Sequence, residues 1–122
     1  MWGDYVAEIG AEFLGTALLV CFGCGVATLM FGFGLDGGSV AAGVVATALE
    51  FGLVPLSLAY VLGPVSGCHV NPAVTTGALL AGRISVREAV GYWTAQFAGG
   101  IAGAHRRGHR AEPGLALYRP RR

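Results

Sequence analysis

The chain has 122 residues, enough for one modest domain or for three membrane spans, and its composition favours the second. Apolar residues make up 54% of the sequence and charged residues 12%, about half the charged share of a typical soluble domain. Three cysteines in so apolar a chain exclude a fold built on a disulfide framework.

The acidic and basic residues are concentrated in different parts of the chain. Residues 1–104 contain two arginines and six acidic residues, whereas residues 105–122 contain six arginines and one glutamate. The second segment has one aromatic residue, two prolines and no helical periodicity of apolar residues. We therefore predict an arginine-rich, disordered tail, and we expect no nucleic acid as a partner.

Three stretches are long and apolar enough to cross a bilayer, which takes roughly 20 residues of helix. The first has no charged residue between Phe13 and Leu35. The start of the chain lacks the basic region of a cleavable signal peptide, so we expect this stretch to be retained as a span. The predicted spans cover about residues 5–33, 39–62 and 86–104.

Acidic residues occur at two places within the first two spans. Glu8 and Glu12 are one helical turn apart, and Glu8, near the membrane edge, is predicted to be solvated. Glu12 is deeper, where an ionisable group is costly and usually faces the protein interior, so we expect it to accept hydrogen bonds from backbone. Glu50 is the only charge of the second span, and Pro55 predicts a kink there.

A polar stretch at residues 63–81 predicts a loop followed by a short helix. Asn71 is a favourable N-cap residue, and Pro72 suits the first helical position. The helix that follows is only about ten residues long, too short to span a bilayer. Ser85 and Glu88 then form a capping box for the third span.

Small residues four positions apart recur in the spans. In lipid, such pairs allow close helix packing, although small residues are also simply common in membrane helices. The pairs are Ala11 and Gly15, Gly23 and Ala27, and Gly99 and Gly103.

Two short motifs that could indicate an enzyme occur in unsuitable contexts. Gly32, Gly34 and Gly37 match G-x-G-x-x-G, but they follow a span-length segment rather than a short strand. Cys21 and Cys24 form C-x-x-C inside a predicted membrane helix, outside the βαβ context of a redox fold. We therefore predict no enzyme, no metal and no cofactor, and a soluble nucleotide-dependent enzyme is the least favoured alternative.

Several blocks of the sequence, in this order and spacing, resemble the aquaporins, or major intrinsic proteins. Ser-Gly-Cys-His-Val-Asn-Pro-Ala-Val-Thr at residues 66–75 is similar to the first re-entrant loop of that family. Ala-Glu-Phe-Leu-Gly-Thr at residues 11–16 resembles its first helix, and Gly-Tyr-Trp at residues 91–93 resembles its third. The resemblance covers about residues 5–104.

The resemblance implies an all-α membrane protein. In the family, six spanning helices and two half-helices form an inverted repeat, and four monomers form a tetramer. Residues 1–104 correspond to the first repeat, three transmembrane helices plus one re-entrant half-helix, truncated before the second repeat. With the family's cytoplasmic N-terminus, the arginines of residues 105–122 would lie outside, against the positive-inside rule. We therefore expect the tail to be a truncated or out-of-frame reading of a longer gene.

The resemblance also implies roles for individual residues of the loop. His69 has no acid or nucleophile beside it in the sequence, so we expect its ring to brace the loop rather than to catalyse. Glu12 is expected to support the loop as a buried acid. The pore motif would be Asn71, Pro72 and Ala73, and the carbonyls lining a file of water would be those of Gly67, Cys68, His69 and Val70.

Phe51 is the candidate for a selectivity filter. It precedes Asn71 by 20 residues, which matches the aromatic residue that narrows the filter of water-selective family members. Glycerol facilitators usually carry tryptophan there, so a strict water channel is favoured over a glycerol facilitator. A packing or lipid-facing role for Phe51 is the alternative.

The function implied is passive water transport, with this chain as the amino-terminal half of the channel. A non-conducting fragment or assembly module, and half of a glycerol facilitator, are the alternatives. The expected partners are water, membrane lipid and, for the full-length protein, three further copies in a homo-tetramer. The expected location is the plasma membrane, specifically a bacterial inner membrane.

Overall fold

The computed structural model describes residues 2–32 and 39–115, of which residues 106–115 are described as backbone only. These residues form four α-helices and no strand. Gly34 and Gly37 of the G-x-G-x-x-G match lie outside the described residues, as do residues 116–122 of the tail. The helices are α1 (Trp2–Ala27, extended by a π-helical segment, Thr28–Gly32), α2 (Val40–Ser66), α3 (Pro72–Leu80) and α4 (Val86–Leu115).

Helices α1 and α2 are long and apolar enough to cross a membrane. Their 26 and 27 residues correspond to about 40 Å each, more than the roughly 30 Å of hydrocarbon in a bilayer. In the most apolar 18-residue stretch of each helix, only 17% of α1 and 11% of α2 is buried within the chain. Most of this apolar surface therefore needs lipid or another protein segment to cover it.

Helix α4 does not meet the same hydropathy criterion. Arg87, Glu88, Gln96 and several glycines lower its mean hydropathy, and it packs along α1 more extensively than any other described helix pair does. A third span at α4 stays a prediction from the sequence.

Two helix ends differ from the predicted ones. The sequence places the end of the second span at residue 62, before Gly63-Pro64, but α2 continues to Ser66. Proline removes only one N–H from the helix, and Gly67 ends it instead by adopting a left-handed φ of 79° and donating to the Gly63 carbonyl at 2.9 Å. Helix α3 ends at Leu80, one residue before the predicted end at 81, and Ala81 is its C-cap.

The tail also differs from its prediction. The third span was expected to end at 104 and the chain to be disordered from 105, but α4 continues to Leu115. A helix that is already formed extends at little cost, because each added residue gains a hydrogen bond without a new nucleation step. The lack of apolar periodicity in residues 105–122 argues only against a helix with one buried face. The out-of-frame origin of residues 105–122 stays a prediction.

The capping box at the start of α4 is confirmed. The Ser85 N–H donates to Glu88 Oε2 at 2.7 Å, and the Glu88 N–H donates to Ser85 Oγ at 3.2 Å. This reciprocal pair satisfies two of the backbone donors that a helix start leaves open.

Of the two explanations for the small-residue pairs, close helix packing holds for Gly99 and Gly103, where α4 crosses α1. A Cβ atom added to Gly99 would collide with the carbonyl oxygen of Phe13, and one added to Gly103 with that of Ala17. The two backbones therefore approach each other across these glycines, as small residues four positions apart allow.

Replacement of Gly99 by alanine tests this contact. We expect Gly99→Ala to destabilise the α1–α4 pair, because the Cβ meets a backbone carbonyl that cannot move aside independently. The matched control is Gly100→Ala, where the added atom lies 3.9 Å from Val20 Cγ2 and helix propensity improves by about 0.5–1 kcal/mol. Thermal unfolding in detergent micelles measures both, and equal effects would contradict the packing.

Candidate functional site

The loop between α2 and α3, residues 67–71, lies against the middle of α1. A Cβ atom added to Gly15, near the centre of this 26-residue helix, would collide with Val70 Cγ1 and lie 2.9 Å from Leu62 Cδ1. Gly15 therefore leaves the space that Val70, 7% exposed, occupies. The loop is thus packed halfway along a helix of membrane length.

The buried carboxylate of Glu12 holds this loop in place. Glu12 has no exposed surface, and its two oxygens accept four hydrogen bonds. Because an ionised carboxylate has only acceptor sites, it suits a position that four donors surround. The donors are Ser66 Oγ (2.7 Å), the His69 N–H (2.9 Å), the Val70 N–H (2.7 Å) and Gln96 Nε2 (2.8 Å). The backbone contacts expected of this acid are therefore present.

The loop backbone has an unusual conformation. Cys68 and Val70 have positive φ values of 52° and 41°, and Gly67 precedes them at 79°. For a β-branched residue such as Val70 this conformation is a genuine outlier, costing of order 1–3 kcal/mol. The hydrogen bonds that the His69 and Val70 N–H groups donate to Glu12 offset this cost and fix the orientation of these two peptide groups.

The hydrogen bonds that fix the loop use its N–H groups rather than its later carbonyls. The Cys68 N–H donates to Ser66 Oγ at 3.1 Å, while Tyr92 Oη donates to the Ser66 carbonyl at 2.9 Å. None of these bonds engages the carbonyls of residues 67–70. Because the hydrogen bonds described here use the N–H groups, the carbonyl oxygens of residues 67–70 can accept hydrogen bonds from other partners.

His69 braces the loop against the helices behind it. Its Nδ1 lies 3.2 Å from Thr75 Oγ1, and its ring meets that of Tyr92 edge-on, with centroids 5.3 Å apart. Thr75 is fully buried and also accepts a hydrogen bond from Gln96 Nε2 at 2.8 Å. Gln96 thereby links the start of α3 to the carboxylate of Glu12.

Asn71 begins α3 as its predicted N-cap. Its Oδ1 accepts the N–H of Ala73 at 2.8 Å, and Pro72 occupies the first turn. Asn71 is exposed, and it lies at the N-terminus of α3, where the positive end of the helix dipole also lies. Trp93 Nε1 donates to the Pro72 carbonyl at 3.2 Å, which ties this end of α3 to α4.

Phe51 lies apart from the loop. An added Cβ on Gly23 would be 2.9 Å from Phe51 Cζ, so the ring packs on the backbone of α1 while half of its surface stays exposed. Gly23 is eight residues beyond Gly15, about 12 Å farther along the helix. The Phe51 ring therefore has both a packing contact with α1 and an exposed face, so the structure is compatible with either role considered for this residue.

Five hydrogen-bonding residues of this site were not assigned a role from the sequence: Ser66, Thr75, Tyr92, Trp93 and Gln96. The signal that could have identified them is polarity, since a tyrosine and a glutamine one turn apart in an apolar helix need buried partners. Among the described residues, no group of three or more His, Cys, Asp or Glu side chains is placed to bind a metal ion.

Substitution of Glu12 measures how much the loop depends on it. We expect Glu12→Gln to lower the free energy of unfolding by about 1–3 kcal/mol, because the amide nitrogen would face at least one buried donor and leave it unsatisfied. Hydrogen exchange of the His69 and Val70 amides should accelerate in parallel. The control is Glu88→Gln in the exposed capping box, where the glutamine oxygen can still accept the Ser85 N–H, so we expect little loss of stability and no change at those amides. Unchanged exchange in Glu12→Gln would contradict this role.

The sequence matches one protein family and several of its members. The Major intrinsic protein (MIP) family profile matches residues 3–106. An Aquaporin Z of Brucella melitensis is 43% identical over 97 residues, which cover 80% of this chain and 41% of the relative. An Aquaporin Z of Rhodopseudomonas palustris is 44% identical over 94 residues, covering 77% of this chain and 38% of the relative.

The chain therefore spans about two fifths of the length of the curated relatives it matches. The match includes α1, α2, the loop and α3, together with α4 as far as residue 106. Two membrane-length apolar helices and an all-helical described structure agree with an integral membrane protein. On this evidence the chain belongs to the Major intrinsic protein family.

Proposed function

We propose that residues 1–104 are the first repeat of a transmembrane water channel, with α1, α2 and α4 as spans and α3 as a re-entrant half-helix. The observation that carries the proposal is the loop that Glu12 fixes halfway along α1. Irregular backbone at such a depth is tolerated where protein covers one side and water the other. The names of both relatives support a water channel of the aquaporin type.

The proposed path for water runs past the carbonyls of Gly67, Cys68, His69 and Val70. Their N–H groups face the protein, so the carbonyls can accept hydrogen bonds from water molecules in single file. Asn71 then supplies the donor: its Oδ1 is occupied by the cap, and its amide hydrogens are free to bind a water oxygen. The dipole of α3 adds positive potential at the same point, which disfavours cations.

The proposal extends to the whole channel. The complementary half, expected from a second repeat, would cover the exposed side of Asn71 and of α2, and four such monomers would assemble in the plasma membrane. Such a protein transports and does not catalyse a reaction.

Vesicle swelling tests the proposal. Alone in proteoliposomes, the chain is expected to leave water permeability at the level of bare lipid. Residues 3–104, joined to the part of the Brucella relative that follows its matched region, should raise permeability several-fold with a low activation energy. Permeability at the bare-lipid level from a folded, inserted chimera would contradict the proposal.

Within that chimera, Asn71→Asp isolates the donor. Aspartate keeps the cap oxygen, so α3 should form, but it removes both amide hydrogens and adds negative charge. We expect water permeability to fall by at least about tenfold, which needs only 1.4 kcal/mol of added barrier. Thr94→Val is the control, since its hydroxyl bonds to the Val90 carbonyl at 2.8 Å on an exposed face of α4. Equal permeability in both variants would contradict the role of Asn71.

A filter role for Phe51 rests on its exposed face and its distance from the loop. In the chimera, Phe51→Ala is expected to raise glycerol uptake several-fold and to change water permeability little, because pore diameter limits the larger solute. Phe22→Ala is the control: this ring is similarly exposed and is adjacent in sequence to Gly23. Equal glycerol uptake in the two variants would favour packing against α1 as the role of Phe51.

A further inference from the structure

Glu50 carries a buried carboxyl group that the proposed water path does not use. It is the only charged residue of α2, and an added Cβ atom on Gly23 of α1 would lie 3.3 Å from its Oε2. Part of the Glu50 side chain is exposed, but both carboxyl oxygens are buried, and neither has a hydrogen-bond partner among the described residues. Thr47 Oγ1, one turn earlier on α2, is likewise buried without a partner there. The two side chains therefore form a polar site that the described chain leaves unsatisfied.

No charged side chain of the described residues beside this contact compensates Glu50. Of the described helices, only α1 and its π-helical extension lie alongside α2. Between residues 13 and 32 they carry no charge, and their titratable groups there are the thiols of Cys21 and Cys24. The other titratable group of α2 is the phenol of Tyr60, ten residues away. An ionised Glu50 would thus be a buried charge with neither a counter-ion nor a hydrogen bond, which is very costly.

A proton is the ligand that fits this site. A hard metal cation takes about six oxygen ligands, whereas the site offers the two oxygens of Glu50 and the one of Thr47. A proton bound to Glu50 removes the charge and supplies an O–H donor. The acid and the Thr47 hydroxyl can then each donate as well as accept. Neutralisation of this kind is the usual outcome for a buried acid without a partner.

The ring of Phe51 packs on the same glycine as the carboxyl of Glu50. A Cβ atom added to Gly23 would lie 2.9 Å from Phe51 Cζ and 3.0 Å from its Cε1, beside Glu50 Oε2. The ring and the carboxyl therefore share the space that this glycine leaves. An ionised carboxylate needs hydrogen-bond donors, and water molecules that supply them would take up part of that space. Ionisation of Glu50 therefore favours a shift of the Phe51 ring away from Gly23.

We propose that Glu50 and Thr47 form a proton-binding site between α1 and α2, which holds Glu50 as a neutral carboxylic acid at neutral pH. With the proton bound, the acid and the Phe51 ring both pack on Gly23. When the proton leaves to solvent, water enters beside the carboxylate and the ring shifts. Phe51 is also the filter candidate, so the proton would affect how far its ring narrows a pore. That consequence rests on the proposed function, whereas the site itself does not.

Infrared spectra of the full chain in lipid nanodiscs, recorded as the pH is raised from neutral, test the site. The unsubstituted chain is expected to show the C=O stretch of a carboxylic acid at neutral pH and to lose it at alkaline pH. Glu50→Gln should lack that band. The control is Glu88→Gln, which removes a carboxyl that accepts the Ser85 N–H at the start of α4 and should keep the band. Absence of the band from the unsubstituted chain, or equal intensity in Glu50→Gln, would overturn the proposal.

Nuclear magnetic resonance of the same chain with ring-labelled phenylalanine tests the link to Phe51. The Phe51 signal, assigned by its loss in Phe51→Leu, is expected to shift over the pH range in which the acid band disappears, and to stay constant in Glu50→Gln. The exposed Phe97 of α4 is the internal control, because α4 does not lie alongside α2. A constant Phe51 signal in the unsubstituted chain would overturn the coupling. Neither measurement involves transport, so failure here is distinct from failure of the proposed channel.

Discussion

The structure depends on one fully buried carboxylate. Glu12 accepts hydrogen bonds from a side chain at the end of α2, two backbone N–H groups of the loop and a glutamine of α4. An uncompensated carboxylate at this depth would be very costly, and so would unpaired loop amides. Each satisfies the other, so the loop cannot leave the middle of α1 without exposing both.

This arrangement requires the helices to approach closely. Gly99 and Gly103 let α4 come against the backbone of α1, which brings Gln96 within 2.8 Å of Glu12. Gly15, three residues beyond Glu12 on α1, makes room for the side chain of Val70. The glycine contacts bring the buried polar groups within hydrogen-bond distance of Glu12. Those hydrogen bonds in turn hold the loop at its strained φ values, so the packing and the polar contacts depend on each other.

Local chemistry made much of the fold predictable. The cap at Asn71, the capping box at Ser85 and the backbone contacts of Glu12 each follow from residue type and near neighbours, and the structure contains all of them. The partners Gln96 and Tyr92 were not predictable in the same way, since they come from a helix more than 20 residues away and depend on how α4 rotates against α1.

Backbone features were harder to predict than side-chain roles. Nothing in the local sequence indicates that Val70 adopts a positive φ, because tertiary hydrogen bonds impose that conformation. Proline at residue 64 and the absence of apolar periodicity beyond residue 104 do not end α2 and α4, because a formed helix extends at little cost. The pore roles of residues 67–73 are implied by the family resemblance, and measurements of water permeability test them.

The most direct test of the account is the depth of α3 in a bilayer. A nitroxide at Val74→Cys, compared with labels at Leu53→Cys and Arg83→Cys, can be measured through its relaxation by gadolinium-chelating lipids at the membrane surface. All three positions are exposed in the chain, so the labels should be accommodated. The account predicts that the label at 74 is relaxed as weakly as the one at 53, in the middle of α2. Relaxation as strong as that at 83 would put α3 at the headgroups and contradict it.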